Sequence, residues 1–364
     1  MRPPSHENTH GDTHGDTHGD THGDTDNRPR FRVGTDHVES WFARANDPHS
    51  ARAVWLKATV LTTAAGTSLS QAWFSVFDGN RTEGFCLDVP LAAARFDGGS
   101  SRLDAEVGPL TLALDADGGA SAGELGSRTG RVSWDLRWDR HPGRLGGPMS
   151  LLPSQRLVDA PFPKNKLLTP FPVAAFAGTV TWNGETWDLG SWVGMQGHNW
   201  GSSHSPEYVW GQCVFAAAAD GTPSAVLEAA SGRIPLGRGQ SPLVSMLVVR
   251  RGDEEYRFDR ILDLWRQRPE LDFPRWSLRM RGSDGEAHLE MRSATTSMVC
   301  LAYRNPARAT SYCLNSKTAS VRLRLAPRNG PAFELRSDHG GALEFLRTAT
   351  VPDVPLVPAE AAAT

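Results

Sequence analysis

The stretch AVWLKATV, residues 53–60, is followed after an Ala-Ala-Gly loop at 64–66 by QAWFSVF, residues 71–77. Both stretches are short, rich in β-branched and aromatic residues, and separated by a turn, which is typical of paired β-strands. Side chains of a strand alternate between its two faces. One face of the first stretch would carry Trp55, Lys57 and Thr59, and the other would carry Val54, Leu56, Ala58 and Val60. We therefore predict a strand pair here.

Further strands are predicted on both sides of this pair. In the first half they cover 83–88, 103–107, 110–114 and 132–138, where Trp134, Leu136 and Trp138 share one face of a half-buried strand. In the second half, turn pairs such as Asn183-Gly184 and Asp284-Gly285 separate β-rich runs. These runs are 179–182, 208–215, 225–229, 243–250, 256–262, 276–280, 288–291, 321–325, 333–335 and 343–346. Sequential antiparallel strands usually close into barrels or sandwiches, so we predict an all-β chain of two packed units.

Composition divides the chain into five parts. Residues 1–30 carry a Thr-His-Gly-Asp repeat without core-forming side chains, which predicts a disordered tail. Residues 148–172 are rich in proline, which cannot sit inside a sheet and predicts a linker. The linker would separate an N-terminal unit at 31–147 from a C-terminal unit at 173–350. Residues 351–364 combine prolines with an alanine run and predict a second tail.

Composition and motifs disfavour several classes of protein. The formal charge of -3 provides no positive field for nucleic acid. No phosphate loop, nucleophile elbow or zinc motif is present, so neither a cofactor nor a metal is expected. No apolar run approaches the roughly 18 residues of a membrane span, although tryptophans at a barrel mouth could touch a membrane surface transiently. Four dispersed cysteines and no secretory signal predict free thiols and a cytoplasmic location; oligomeric state stays open.

The densest cluster of unusual residues is GMQGHNWG at 194–201, followed by YVWGQ at 208–212. Its glycines permit backbone angles and close approaches that other residues forbid. In the second stretch, Tyr208, Trp210 and Gln212 would point to one side of a strand and could form a ligand wall. The alternative interpretation is structural: Trp200 would plug a barrel end while His198 and its neighbour satisfy a tight turn.

Three segments resemble the superfamily of carotenoid 1,2-hydratase (hydroxyneurosporene synthase) and AttH-like proteins. They are ESWFARANDP at 39–48, RAVWL at 52–56 and GHNWG at 197–201, within a resemblance that spans roughly residues 38 to 350. The resemblance implies two tandem lipocalin-like units, a fold shared with tocopherol cyclase relatives and lipocalin-like Diels-Alderases. It also implies a large hydrophobic isoprenoid or polyketide substrate.

The resemblance also implies functional residues. The hydratases combine their His-Asn-Trp block, matched here by His198, Asn199 and Trp200, with a Tyr-x-Asp element whose acid protonates an alkene. The corresponding strand here is AVLEA at 225–229, where Glu228 offers the carboxylate. Alkene protonation needs an acid kept neutral by apolar walls, with aromatic faces near the carbocation. A pericyclic cyclisation instead needs a shaped dry pocket with a few hydrogen-bond donors.

The leading hypothesis is a cofactor-independent enzyme of secondary metabolism that hydrates, isomerises or cyclises a hydrophobic polyene-type substrate. Its predicted catalytic residues are His198, Tyr208 and Glu228. Its predicted substrate-binding residues are Gln196, Asn199, Trp200, Trp210 and Gln212. The rival hypothesis is a non-catalytic carrier of a pigment or lipid that uses the same pocket, and a third is a structural protein whose pocket is filled by tryptophan. A lipocalin-like fold alone does not decide among them.

Overall fold

The computed structural model describes residues 27–362 except 100, 155, 161–162, 206, 217–220, 234, 237–238, 261–262, 264–265 and 308–309. The predicted disordered tail at 1–30 lies outside the described residues as far as position 26. Its last residues, 27–30, are described, and Asn27 is buried, so the prediction is wrong there.

The described chain is built almost entirely from β-strands, which confirms the predicted all-β fold class. In the first half the strands are β1 His37–Asn46, β2 Arg52–Thr62, β3 Ser68–Asp78, β4 Arg81–Pro90, β5 Arg95–Gly98, β6 Leu103–Val107, β7 Leu110–Leu114, β8 Gly118–Gly126, β9 Arg131–Arg140, β10 Asn165–Trp182, β11 Glu185–Asp188 and β12 Val193–Gly201. In the second half they are β13 Tyr208–Ala216, β14 Pro223–Gly232, β15 Pro235–Leu236, β16 Gly239–Gln240, β17 Val244–Arg251, β18 Glu254–Phe258, β19 Arg268–Asp272, β20 Arg275–Gly282, β21 Gly285–Arg292, β22 Val299–Arg304, β23 Thr310–Pro327, β24 Phe333–Arg347 and β25 Ala359–Ala361. Short helices are α1 Arg156–Asp159 and the 3₁₀ turns Leu91–Ala93, Arg144–Gly146 and Thr295–Ser297.

The strands form two large curled sheets. The first sheet has the order β25-β4-β3-β2-β1-β12-β10-β9-β8-β7-β6-β5, with β11 paired to β10. The second has the order β18-β17-β14-β13-β24-β23-β21-β20-β19, with β22 paired to β23. Neighbouring strands are antiparallel except for β25, which pairs with β4 in parallel. β15 and β16 form a separate small pair.

Alternation along the strands produces three large apolar clusters. Val54 and Leu56 belong to the core inside the first unit, and a second core fills the second unit. Trp55, from the opposite face of the same strand, belongs to a third cluster that contains residues of both sheets. The predicted alternation of 53–60 is therefore confirmed. Burial of each such side chain contributes about 1.5–3 kcal/mol, so the contact between the units is a substantial core.

The change of sheet does not fall in the predicted linker at 148–172. β10 begins at Asn165 and pairs within the first sheet, and the chain enters the second sheet only at Tyr208, so the first unit extends beyond its predicted limit of 147. Pro170 and Pro172 lie where the register between β10 and β12 shifts. A bulge tolerates proline because its backbone nitrogen need not donate to the ladder.

The segment after residue 350 is ordered as far as 362, so the predicted second tail is wrong over that range. β25 extends the first sheet, and the Val357 backbone nitrogen donates to the Cys300 carbonyl over 2.8 Å. Val354 and Val357 are buried, one against the second core and one between the units. Single valines spaced between prolines show no strand or helix period, so the pattern alone gave no signal.

The glycine-rich block at 194–201 is strand β12, a central strand between β1 and β10, and not a tight turn. A Cβ atom on Gly194 would lie 1.7 Å from the Arg44 carbonyl oxygen, and one on Gly197 would lie 2.2 Å from the Phe42 ring. The glycines are therefore needed for close approach to β1, which is one of the two roles expected of them.

Candidate functional site

His198 and Gln196 point into the interior of the first unit, where they are packed. The His198 ring stacks on Trp41 with 4.9 Å between centroids, and its Nε2 lies 2.9 Å from Oε1 of Glu39. Gln196 Oε1 accepts a hydrogen bond of 2.9 Å from Trp138 Nε1. Both side chains are fully buried and neither lines the cavity described below. The prediction that His198 faces a ligand pocket is therefore wrong.

The chain's own N-terminal segment closes this side of β12. Asn27 is buried, accepts a hydrogen bond of 2.8 Å from Gln196 Nε2 through its side chain, and accepts another of 3.0 Å from Trp41 Nε1 through its carbonyl. Burial acts to raise the pKa of Glu39, but hydrogen bonds from His198 and His37 hold that pKa below its ordinary value. The Glu39 carboxylate is paired with two histidines, and the amide groups of Gln196 and Asn27 bond each other. These residues therefore form a structural network.

Trp200 is also a packing residue. The Arg30 guanidinium lies 4.2 Å from the centre of its ring, and the indole forms a small buried cluster with Val158 and Leu168. The alternative interpretation from the sequence, in which Trp200 packs at the end of the first unit, describes its surroundings better than a ligand wall does.

The cavity that fits a hydrophobic ligand lies between the two units and has a volume of about 430 Å³. It falls in the range typical of small-molecule sites. Its apolar walls are Phe42, Trp55, Leu151, Leu152, Pro153, Leu157, Pro163, Leu167, Trp210, Ala230, Val244 and Met246. Its polar lining is Lys57, Asn165, Asn199, His204, Ser205, Tyr208, Ser231, Gly232, Arg233, Asp259, Tyr303 and Glu344. Three of the predicted residues, Asn199, Tyr208 and Trp210, therefore meet here.

Three polar groups converge at one end of this cavity. Lys57 Nζ lies 4.1 Å from the centre of the Tyr303 ring, and the His204 ring stacks on the same tyrosine with 5.2 Å between centroids. Burial lowers the pKa of Lys57 to about 8, and burial together with Lys57 lowers the pKa of His204 to about 3. Burial also raises the pKa of Tyr303 well above its ordinary value. At neutral pH this end presents an ammonium group, a neutral imidazole and a phenol.

The cavity lining contains two buried carboxyl groups: Asp259, which pairs with Arg257 at 2.6 Å, and Glu344, which is held as an anion. Its Oε1 accepts hydrogen bonds of 2.6 Å from Lys317 Nζ and 3.0 Å from Asn315 Nδ2. Burial acts to raise the pKa of Glu344, but Lys317 holds it below the ordinary value. A carboxylate in this state balances charge and does not supply a proton.

Glu228 does not line the cavity but lies directly behind it. Its Oε1 accepts a hydrogen bond of 3.0 Å from Nε1 of Trp210, whose indole forms part of the wall. Thr169 Oγ1, from the first sheet, lies 3.0 Å from both carboxyl oxygens. Burial raises the pKa of Glu228 to about 7. The structure therefore gives this predicted acid a supporting position between the units.

Gln212 lies on the same face of β13 as Tyr208 and Trp210 but outside the cavity. Its side chain accepts a hydrogen bond from the Arg44 guanidinium and donates one of 2.9 Å to the Pro172 carbonyl oxygen. Both partners belong to the first sheet, so Gln212 joins the units and has no position from which to touch a ligand in this cavity.

The prediction missed Lys57, Tyr303, His204 and Glu344 as one group. The available signal was a charged residue in the middle of an apolar strand, since Lys57 interrupts AVWLKATV and Glu344 interrupts an equally apolar strand end. Charged side chains are almost never fully buried without a partner or a function. Their convergence needed the packing of two units, which no local pattern encodes.

A wider groove of about 1000 Å³ lies on the second unit and is lined by several arginines, including Arg279, Arg281 and Arg324. It is open to solvent and partly neutralised, since Arg324 pairs with Glu334 at 2.8 Å. Its charged rim does not suit a hydrophobic ligand.

In the part of the chain that the structure describes, no three His, Cys, Asp or Glu side chains are grouped as metal ligands. No helix in the described ranges is long and apolar enough to cross a membrane.

No family model matches the chain. Two proteins named as uncharacterized, MT0513 of Mycobacterium tuberculosis strain CDC 1551 and Rv0493c of strain H37Rv, are each 25% identical to it over 307 residues, or 83% of this chain and 85% of theirs. The crystal structure of CghA with Sch210972 superposes with a TM-score of 0.57 at 12% identity, covering 85% of this chain and 88% of that one. A Nitrosomonas europaea protein assigned to AttH gives 0.51 at 12% identity, covering 86% and 93%. These similarities confirm the tandem lipocalin-like fold that the sequence resemblance implied.

Proposed function

We propose, from the tandem lipocalin-like fold that this chain shares with CghA and AttH, that the protein is a cofactor-independent cyclase or isomerase of a hydrophobic polyene-type metabolite. The observation that carries the proposal is the cavity between the units, where apolar walls surround a polar end made of Lys57, Tyr303 and His204. CghA was crystallised with Sch210972, which supports small-molecule binding as a use of this fold.

The chemistry follows from the two ends of the cavity. Apolar and aromatic walls would hold a flexible chain folded with its reacting carbons close together, which lowers the entropic part of the barrier. The Lys57 ammonium and the Tyr303 hydroxyl would donate hydrogen bonds to a carbonyl conjugated with the polyene. Donors fixed in a dry site stabilise charge that develops on such an oxygen more than donors in water do.

Cyclisation or isomerisation fits this site better than hydration. An acid that protonates an isolated alkene must be neutral and must face the substrate. Glu344 faces the cavity but is paired with Lys317 as an anion, and Glu228 has the raised pKa but lies behind Trp210. Asp259 also lines the cavity but pairs with Arg257 at 2.6 Å. None of the three carboxyl groups meets both conditions.

The proposal is tested with an organic extract of cells from which the gene has been deleted, because these cells accumulate the substrate. The extract is incubated with the purified protein and analysed by mass spectrometry. We expect one metabolite to be replaced by an isomer of identical mass. Tyr303→Phe should slow this conversion by roughly 100-fold through loss of one hydrogen-bond donor.

Tyr256→Phe is the matched control, since it removes a hydroxyl that, among the described residues, donates to Glu254 and does not belong to the cavity lining. It should leave the conversion unchanged. A product heavier by one water would contradict the proposal and favour a hydratase. Retention of a metabolite without conversion would favour the carrier. If the protein neither retains nor converts any metabolite, both functions are contradicted.

A further inference from the structure

Lysine is rare in this chain. Of 38 basic residues other than histidine, four are lysine: Lys57, Lys164, Lys166 and Lys317. Arginine serves at almost every other cationic position, including the buried Arg44. A chain that places arginine even in its interior has no general need for lysine there, so the two lysines at the contact between the units call for a chemical reason.

Lys57 is buried with 4% of its surface exposed, and this surface lines the cavity. Its Nζ lies above the Tyr303 ring and 5.7 Å from the Trp55 ring centre. Among the described residues, no carboxylate pairs with it and no acceptor takes a hydrogen bond from it. Lys317 differs, because its Nζ donates to Glu344 over 2.6 Å.

The charged and titratable groups around Lys57 act in opposite directions. Burial and the Lys317 ammonium disfavour its protonated form, whereas the Glu344 carboxylate favours that form. The balance lowers the pKa of Lys57 to about 8, so a measurable fraction is the free amine near neutral pH. A desolvated lysine beside a second cation is the arrangement that activates an amine as a nucleophile. An arginine in its place could not be deprotonated.

We propose that Lys57 forms an imine with the carbonyl carbon of a hydrophobic aldehyde or ketone bound in the cavity between the units. Tyr303 Oη makes no hydrogen bond to a nitrogen or oxygen atom of the described residues and lies near the Cys313 thiol, and it would bond the carbonyl oxygen. The inference rests on the proposed function in taking the same cavity as the binding site, and it names the substrate as a carbonyl compound.

The reaction balances without a further reagent. The free amine attacks the carbonyl carbon, a new C–N bond forms, and the proton from nitrogen passes to the carbonyl oxygen. The resulting hydroxyl group takes up the proton that the ammonium released when it became the free amine, and it leaves as water, which gives the protonated imine. Overall one ammonium and one carbonyl become one iminium and one water, so the positive charge near Glu344 is retained. An iminium withdraws electrons from a conjugated polyene more strongly than a hydrogen-bonded carbonyl does, which would assist cyclisation or isomerisation.

The test uses the full chain with farnesal, a hydrophobic isoprenoid aldehyde, and with farnesol, its alcohol. Binding of each is followed by quenching of tryptophan fluorescence, since Trp55 and Trp210 line the cavity. The farnesal complex is reduced with cyanoborohydride, and the adduct is measured by intact mass and located by peptide mapping. We expect about one adduct per chain, located on Lys57, and faster trapping as the pH rises toward 8.

Lys57→Met should lower the adduct at least tenfold, and Lys57→Arg, which keeps the charge, should do the same while still binding farnesol. Lys164→Met is the matched control at an exposed lysine and should retain the adduct. Quenching by both compounds without an adduct on Lys57 would overturn the imine and leave the proposed function standing. No quenching by either compound would overturn both.

Discussion

Glu228 illustrates how one side chain can serve a site that it does not touch. Its carboxyl group is fully buried and links Thr169 of the first sheet to Trp210 of the second. Trp210 in turn forms a wall of the cavity. The two hydrogen-bond donors stabilise the anion, but burial dominates and raises the pKa to about 7.

The raised pKa predicts a pH-dependent stability that Glu228→Gln removes. Below the ordinary value of 4.5 the carboxyl is protonated in both the folded and unfolded states, and its contribution to stability is fully present. As pH rises toward 7 the unfolded chain releases the proton first, and the contribution is lost. The free energy of unfolding of the wild type, relative to the variant, should therefore fall by about 2–3 kcal/mol from pH 5 to pH 8.

Urea unfolding of both proteins at the two pH values measures this difference. Glu254→Gln, at an exposed carboxyl that accepts a hydrogen bond from Tyr256, is the control and should show no such slope. A wild-type stability that tracks the variant's at both pH values would contradict the buried, raised carboxyl.

For single residues, the sequence predicted correctly which face of a strand a side chain occupies, but it did not predict which residues that side chain contacts. Alternation placed Tyr208 and Trp210 on the face that lines the cavity, and the structure confirms this. The family resemblance and the unusual residues of 194–201 assigned a pocket to His198, which instead bonds Glu39. Alternation identifies which side a residue faces, but whether that side is packed or hollow depends on residues that are distant in sequence.

β12 shows how an element can depend on the absence of side chains. It lies between β1 and β10, and Gly194 lies against the backbone carbonyl of Arg44. Backbone atoms cannot rotate away as a side chain can, so any Cβ here must displace a strand. The glycines therefore determine how closely β1 and β12 approach each other.

Gly194→Ala should accordingly destabilise the protein by roughly 1–3 kcal/mol or more, as expected for overpacking of a filled interior. Gly99→Ala is its control, because a Cβ there would meet nothing within 4 Å. Thermal unfolding of both variants measures the effect. Equal thermal unfolding midpoints for Gly194→Ala and Gly99→Ala would show that β1 and β12 can separate freely. That result would contradict the close packing of these two strands.

Elements with a clear turn on each side were predicted closely. Strands 103–107 and 110–114 coincide with β6 and β7. β1 and β12 were not predicted, because buried arginine, asparagine and glycine interrupt their apolar pattern: Arg44 and Asn46 face the second unit and Gly194 and Gly197 face neighbouring strands. Arg44 and Asn46 form hydrogen bonds across the contact between the units. Local periodicity does not reveal partners that belong to the other unit.

At the scale of the whole molecule, the two units act as the two walls of one site. Arg44 of the first sheet is buried, donates a hydrogen bond of 2.9 Å to the Gly340 carbonyl oxygen and donates another to Gln212 of the second sheet. Burial lowers the pKa of Arg44 to about 10, so it stays charged at neutral pH. Such charge-assisted bonds fix the spacing of the walls.

Arg44→Met should therefore lower the free energy of unfolding by about 2–3 kcal/mol, since it leaves Gln212 and a carbonyl group unsatisfied. It should also weaken farnesol binding, because the cavity walls lose a common anchor. Arg281→Met, which removes an exposed ion pair with Glu286, should change stability by no more than about 0.5 kcal/mol. Urea unfolding with fluorescence detection measures both; an unchanged stability in Arg44→Met would contradict the coupling.

The number of units was predictable from the turns and from the resemblance, but their boundary was not. Prolines at 148–172 indicated a linker, yet part of that segment is β10 and part covers the cavity through Leu151, Leu152 and Leu157. Proline excludes a regular ladder position but not a bulge or a cover. The site, formed between units, could therefore not be located from either unit's pattern.

The central claim is that ligand binds between the units and not inside the first unit beside His198. A crystal structure of the protein grown with farnesol tests it most directly. The account predicts density for the alcohol in the cavity, with its chain along Leu151 and Met246 and its hydroxyl near Lys57 and Tyr303. Density beside His198 and Gln196, with Asn27 displaced, would contradict it.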